Sequence, residues 1–120
     1  MTKKKILIAD DDIGILEVMK IILEDAGFNI ETISGGKVYN QVKKSLPDLV
    51  LIDIRMSGQD GGEITKLIKK DHHTNKIPVV IVSANQQTQK VAQDSGADGF
   101  ILKPFDMHLL VETAKKYLYG

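Results

Sequence analysis

The sequence predicts an α/β fold, a doubly wound parallel sheet of five strands built as (βα)5. Three observations carry that prediction. Five short runs rich in branched residues are almost continuously apolar, the pattern of strands covered on both faces. Between them lie segments whose apolar residues recur at helical spacing, so strand and helix alternate five times. The chain has 120 residues, the size of one domain, and it can bury about two-thirds of its unfolded surface.

The first strand is Lys5–Ala9 (KILIA), ahead of a helix whose stripe is Ile15, Leu16, Met19, Ile22 and Leu23. Asp12 is its N-cap and Gly27 its stop. Phe28–Ile33 (FNIETI) alternates in polarity and reads as an edge strand. Val38 and Val42 mark a second helix ending before Pro47. Asp48–Ile52 (DLVLI) is the third strand, and Ile64, Leu67 and Ile68 the stripe of the third helix. Gly61 and Gly62 read as a turn. Pro78–Ser83 (PVVIVS) is the fourth strand. Gln86–Ser95 is polar and weakly periodic, with Val91 and Ala92 its main apolar residues, and reads as a helix. Gly99–Leu102 (GFIL) is the fifth strand. Met107, Leu110, Val111, Ala114 and Leu118 stripe the last helix, started by Pro104 and Asp106.

Composition excludes several functions. With no cysteine there is no disulfide framework, thiolate zinc site or thiol chemistry. Sixteen basic side chains balance sixteen acidic ones, which removes the electrostatic footprint of a nucleic-acid binder. No apolar run approaches the ~18 residues of a membrane span. The four apolar residues after Lys5 are too few for a signal peptide. A single cytoplasmic domain, monomeric or weakly dimeric through its last helix, is expected.

In an open α/β sheet the site lies beyond the carboxyl ends of the strands. The first strand ends in Asp10-Asp11-Asp12, the third in Asp53, the fourth in Ser83-Ala84 and the fifth in Lys103-Pro104. Two carboxylates about 4 Å apart repel by roughly 4 kcal/mol at an effective dielectric of 20. Converging aspartates therefore call for a divalent cation beside Lys103. Oxygen donors without cysteine or paired histidine suit Mg²⁺ rather than zinc. Aspartate can be a phosphoryl acceptor, serine a donor to a phosphoryl oxygen and lysine its counter-charge.

The stretches ILIADDD (6–12), PDLVLIDIRMSGQDGGE (47–63), VVIVSAN (79–85) and GADGFILKPF (96–105) make the chain resemble the receiver domain of two-component response regulators. The resemblance runs over essentially residues 1–120 and implies a stand-alone receiver without an output domain. It implies a flavodoxin-like sheet, order 2-1-3-4-5. Asp53 matches the phosphoacceptor, Asp11 the direct Mg²⁺ ligand, Asp10 its neighbour, and the Arg55 main-chain carbonyl a third ligand. Ser83 matches the hydroxyl that moves to the phosphoryl group, and Lys103 the family lysine, followed by a cis bond to Pro104. Phe100 falls at the aromatic switch position; a buried core aromatic is the other reading. The implied donor is a histidine kinase or histidine phosphotransfer protein, and the implied output an unknown downstream protein. Such a domain catalyses its own phosphorylation and dephosphorylation, with no separate turnover substrate.

Two departures stand out. Met56 is followed by Ser57 where the family usually has proline, and Arg55 and Asn85 occupy variable positions beside the acceptor. Ile13, Gly14, Ile15 and Val18 open the first helix next to the acidic pocket and are read as the donor surface. Leu109 and Tyr117 fall off the last helix's buried stripe, on the usual output face of receivers, or else belong to the core. His72 and His73 read as a solvated loop. The competing function is a pseudo-receiver, binding partners without phosphorylation. A phosphohydrolase would need a cap for which no insertion is long enough. The triply acidic first loop would repel a flavin phosphate.

Overall fold

The computed structural model describes residues 3–120. β1 (Lys5–Ala9) leads into α1 (Ile13–Asp25), followed by β2 (Asn29–Ile33) and α2 (Val38–Ser45). β3 (Leu49–Ile52) is followed by a small hairpin of β4 (Arg55–Met56) and β5 (Gln59–Asp60) before α3 (Gly61–Lys70). β6 (Val79–Ser83), α4 (Thr88–Ser95), β7 (Gly99–Leu102) and α5 (Met107–Tyr119) complete the described chain. Every strand of the main sheet is parallel, in the order β2-β1-β3-β6-β7. Counting only those five strands, this is the flavodoxin-like order 2-1-3-4-5.

Alternate residues of the central strands feed two cores, since successive side chains of a strand point to opposite faces. Ile6, Ile8, Leu49, Leu51, Val80 and Val82 pack with Leu16, Met19 and Leu23 of α1 and Leu110 and Ala114 of α5. Leu7, Ala9, Val50, Ile52, Val79 and Ile81 pack with Val38, Val42, Ile64, Ile68 and Ala92 on the other side. Being buried on both faces is why these runs show no in/out alternation. β2 is the alternating edge strand, and β7 forms the other edge, leaving Leu102 exposed.

Several expected boundaries and roles shift. Phe28 lies just ahead of β2 but is buried in the α1–α5 core, stacked on Tyr119 with ring centroids 5.9 Å apart. Leu67 and Met107 belong to helices as expected but are exposed, so neither contributes to a core. Gly61 and Gly62 do not form a turn: they are the buried first turn of α3, capped by Asp60, whose Oδ1 accepts from the Gly62 and Glu63 amides. Asp12 and Asp106 cap α1 and α5 by accepting from Ile15 and Leu109. No helix among the described residues is long and apolar enough to cross a membrane.

Candidate functional site

The strand order reverses between β1 and β3, which grow outward from each other in opposite directions along the sheet. A crevice opens beyond the carboxyl ends of strands at such a point. Ala9 pairs with Ile52, so the next residue of each strand, Asp10 and Asp53, leaves the sheet side by side. The Asp53 amide donates to the Ala9 carbonyl at 3.0 Å and continues the ladder into the site. Ser83 pairs with Leu102, and the Lys103 amide donates to the Ser83 carbonyl at 3.0 Å. The Lys103–Pro104 peptide is cis.

Lys103 crosses from β7 to the aspartates. Its Nζ donates to Asp10 Oδ2 at 2.7 Å and to Asp53 Oδ2 at 2.9 Å. The three side chains are largely enclosed, with exposures of 15%, 5% and 15% for Lys103, Asp10 and Asp53. Burial works against the lysine's charge, but the hydrogen bonds and charges of Asp10 and Asp53 outweigh it and hold the ammonium above the ordinary lysine range. The remaining carboxylate oxygens are engaged by main chain: Asp10 Oδ1 accepts from the Asp12 amide at 2.9 Å and Asp53 Oδ1 from the Ile54 amide at 2.7 Å.

Asp11 differs. Its Oδ2 accepts from the Ser57 amide on the hairpin, while its Oδ1 is buried with no hydrogen-bond partner. An unpartnered buried carboxylate oxygen is costly, and a cation relieves that cost. Three carboxylates against one ammonium leave the pocket anionic, which fits the same conclusion. Among the described residues no three Asp, Glu, His or Cys side chains form a ready-made cage. A cation held here must draw on main-chain and water oxygens as well, the mode that suits Mg²⁺.

A cavity of ≈ 530 Å³ opens over Asp53 and is lined by Arg55, Ser83, Ala84, Asn85, Gln86, Gln87 and Lys103. Ser83 is buried, and its Oγ accepts from the Asn85 amide at 3.2 Å, so its own proton is free to be donated. Arg55 is exposed on the cavity rim. A second, largely apolar cleft of ≈ 640 Å³ adjoins the site and includes Gly14, Ile15, Val18, Pro104 and Phe105. Ile13 and Val18 are 61% and 53% exposed, whereas Ile15 is half-buried against the core.

The structure thus brings Asp10, Asp11, Asp53, Ser83 and Lys103 to one end of the sheet, with Arg55 beside them. Phe100 stands apart, on β7, and at 38% exposure it is not a core aromatic. Leu109 is exposed, but Tyr117 is not free surface: it packs on the α1–α5 core and its hydroxyl donates to the Asp98 carbonyl at 2.8 Å. Two contributors escaped the sequence reading. One is the Ser57 amide. The other is Gly61, where a Cβ would lie 1.9 Å from the Asp53 carbonyl oxygen. The Asp60–Glu63 spacing, an N-cap followed by an acid three residues on, signals the helix start that places Gly61 there.

The response regulator receiver domain family matches residues 6–115. The DNA-binding response regulator MtrA of Mycobacterium tuberculosis is 32% identical over 119 residues, covering 97% of this chain and 51% of that protein. The response regulator GtcR of Aneurinibacillus migulanus is 39% identical over 106 residues, covering 86% and 43%. The chain spans about half the length of these curated relatives. Among solved structures, chemotaxis protein CheY4 of Vibrio cholerae superposes with a TM-score of 0.89 at 26% identity, covering 98% of this chain and all of the other. A putative response regulator from Chloroflexus aurantiacus reaches 0.93 at 25% identity, covering 99% and 100%. Response regulators of this kind work with histidine kinases, and the family generally uses Mg²⁺ for phosphorylation. With its sheet order, its strand-end residues and this match over most of its length, the chain belongs to the response regulator receiver domain family.

Proposed function

We propose that this chain is a phosphoacceptor signalling module in which Asp53 takes a phosphoryl group from the phosphohistidine of a histidine kinase or histidine phosphotransfer protein. The observation that carries the reading is the Lys103 ammonium bridging Asp10 and Asp53 while Asp11 keeps one buried oxygen unpartnered. That arrangement is short of positive charge, which a divalent cation supplies, leaving Lys103 and the cation to meet the charge of an incoming phosphoryl group.

An Asp53 carboxylate oxygen attacks phosphorus through the open cavity, forming an O–P bond. The N–P bond to the donor imidazole breaks, and its electron pair stays on the ring nitrogen. The Asp53–Ile54 amide contact orients the carboxylate, Lys103 neutralises the added negative charge, and the Ser83 hydroxyl donates a hydrogen bond to a phosphoryl oxygen. Asp10, Asp11, Asp53 and the Arg55 carbonyl would hold Mg²⁺, which supplies counter-charge to the phosphoryl oxygens. The acyl phosphate is dianionic, and drawing Ser83 and Lys103 onto it biases a two-state surface toward a downstream partner. Phe100 on the neighbouring strand is the residue assigned to report that state, and Ile13, Gly14, Ile15 and Val18 the donor-facing surface.

The test is intact mass after incubation with acetyl phosphate or phosphoramidate, in Mg²⁺ and in EDTA, with Asp53→Ala alongside. A gain of one phosphoryl group, dependent on Mg²⁺ and absent in the variant, is the expected result. No gain from either small donor or from a phosphorylated histidine phosphotransfer protein would overturn the proposal in favour of a pseudo-receiver.

A further inference from the structure

The hairpin after Asp53 reaches back into the acidic pocket through its main chain. Ser57 is exposed at its tip, and its amide donates to Asp11 Oδ2. The hairpin is held at several points. Arg55 pairs with Asp60 and Met56 with Gln59, and the Met56 side chain is buried. The Gln59 side-chain oxygen accepts from the Val38 amide at the start of α2 at 3.2 Å. The Gly61 amide donates to the Ile54 carbonyl at 2.7 Å. The Ser57 amide is therefore presented from an anchored frame.

Asp11 sits in the short segment between β1 and α1 and is half-buried, so without a partner its carboxylate is free to turn toward water. The Ser57 amide occupies one of its oxygens and leaves the other buried and unpaired. We infer that Ser57 is a positioning residue which, through its main-chain N–H, locks the Asp11 carboxylate with one oxygen committed to the hairpin and the other held ready for the cation. Its side chain is not required. A proline at 57 would lack the N–H and abolish the contact. Ordering a ligand before the ion arrives lowers the cost of binding. The inference rests on reading Asp11 as a cation ligand.

The test compares Mg²⁺ binding to the unphosphorylated protein by isothermal titration for the wild type, Ser57→Ala, Ser57→Pro and Asp11→Ala. Gly58 has φ +71° at the third position of the Met56–Gln59 turn, the mark of a turn that favours proline at its second position, so Ser57→Pro suits the local fold. Ser57→Pro is expected to raise the Mg²⁺ dissociation constant roughly tenfold, the scale of one charge-assisted hydrogen bond. Ser57→Ala keeps the N–H and is expected to bind as the wild type does. Ser57→Pro binding as wild type, or Ser57→Ala weakening equally, overturns the inference while leaving Asp11's role intact. Wild type and Asp11→Ala binding Mg²⁺ equally overturns the ligand reading itself. Independently of the proline variant, amide hydrogen exchange at Ser57 in metal-free protein is expected to be several-fold faster in Asp11→Ala than in wild type. Equal exchange rates would also overturn the inference.

Discussion

Gly61→Ala isolates the contact between α3 and Asp53, the proposed phosphoacceptor. A Cβ at 61 would lie 1.9 Å from the Asp53 carbonyl oxygen, 2.8 Å from its carbonyl carbon and 3.0 Å from Ile54 Cα. All three are backbone atoms, so no side chain can swing away. Asp53 or the start of α3 must move by roughly 1 Å to reach even close van der Waals contact. Alanine gains about 1 kcal/mol over glycine inside a helix, whereas overpacking against fixed structure costs about 3 kcal/mol or more. The clash wins by about 2 kcal/mol, which lowers Tm by about 8 °C in a domain of this size. A displacement of about 1 Å at Asp53, the proposed nucleophile, is also expected to slow phosphorylation from a small donor roughly a hundredfold. Thermal melts and timed intact-mass measurements with acetyl phosphate read the two effects separately. Gly35→Ala is the control: nothing lies within 4 Å of its Cβ position and its φ is not positive. Gly61→Ala with wild-type Tm and wild-type phosphorylation rate would refute the reasoning.

Lys103→Ala leaves the buried Asp10 and its neighbour Asp53 without their ammonium, a loss of about 3 kcal/mol for a broken buried pair; Mg²⁺ is expected to raise the variant's Tm more than the wild type's, and an equal rise would count against the shared-charge account. Asp71 is held to about 2, from 3.8, chiefly by the Tyr39 hydroxyl that donates to it at 2.5 Å, then by the His73 amide and Lys43. Stability from this depressed carboxylate is complete above pH 3.8 and lost as pH falls toward 2. The stability gap between wild type and Tyr39→Phe should therefore shrink over that acid range in urea titrations, and a gap that stays constant would remove the hydroxyl as the cause. Val18→Glu changes an exposed residue on the apolar cleft, so stability should move by no more than about 0.5 kcal/mol. Transfer from a protein phosphohistidine donor should slow roughly tenfold, about the effect of one interface contact, while acetyl phosphate still works; equal slowing of both would place Val18 outside donor recognition.

The strands and the helix stripes were legible because burial writes its period into the chain: Lys5–Ala9, Leu49–Ile52 and Val79–Ser83 lie between two layers and are apolar except for Lys5 and Ser83 at their ends. The strand-end positions of Asp10, Asp53, Ser83 and Lys103 could be read for the same reason, since each stands where an apolar run stops. Local sequence could not show that Lys103 spans both Asp10 and Asp53, because that contact joins residues 93 and 50 positions apart. Nor could it decide exposure within a helix. Leu67 and Met107 have the spacing of core residues, yet both are exposed. Gly61-Gly62 looked like a turn because glycine signals one; only the packing of α3 against the end of β3 makes glycine necessary inside a helix. Ser57 carried no side-chain signal, since its contribution is a main-chain N–H, which every residue but proline has. Residue types thus determined the sheet, its order of elements and the polar groups at the carboxyl ends of its strands. Tertiary structure decided which of those groups touch, because distance across the sheet depends on strand pairing and not on distance along the chain.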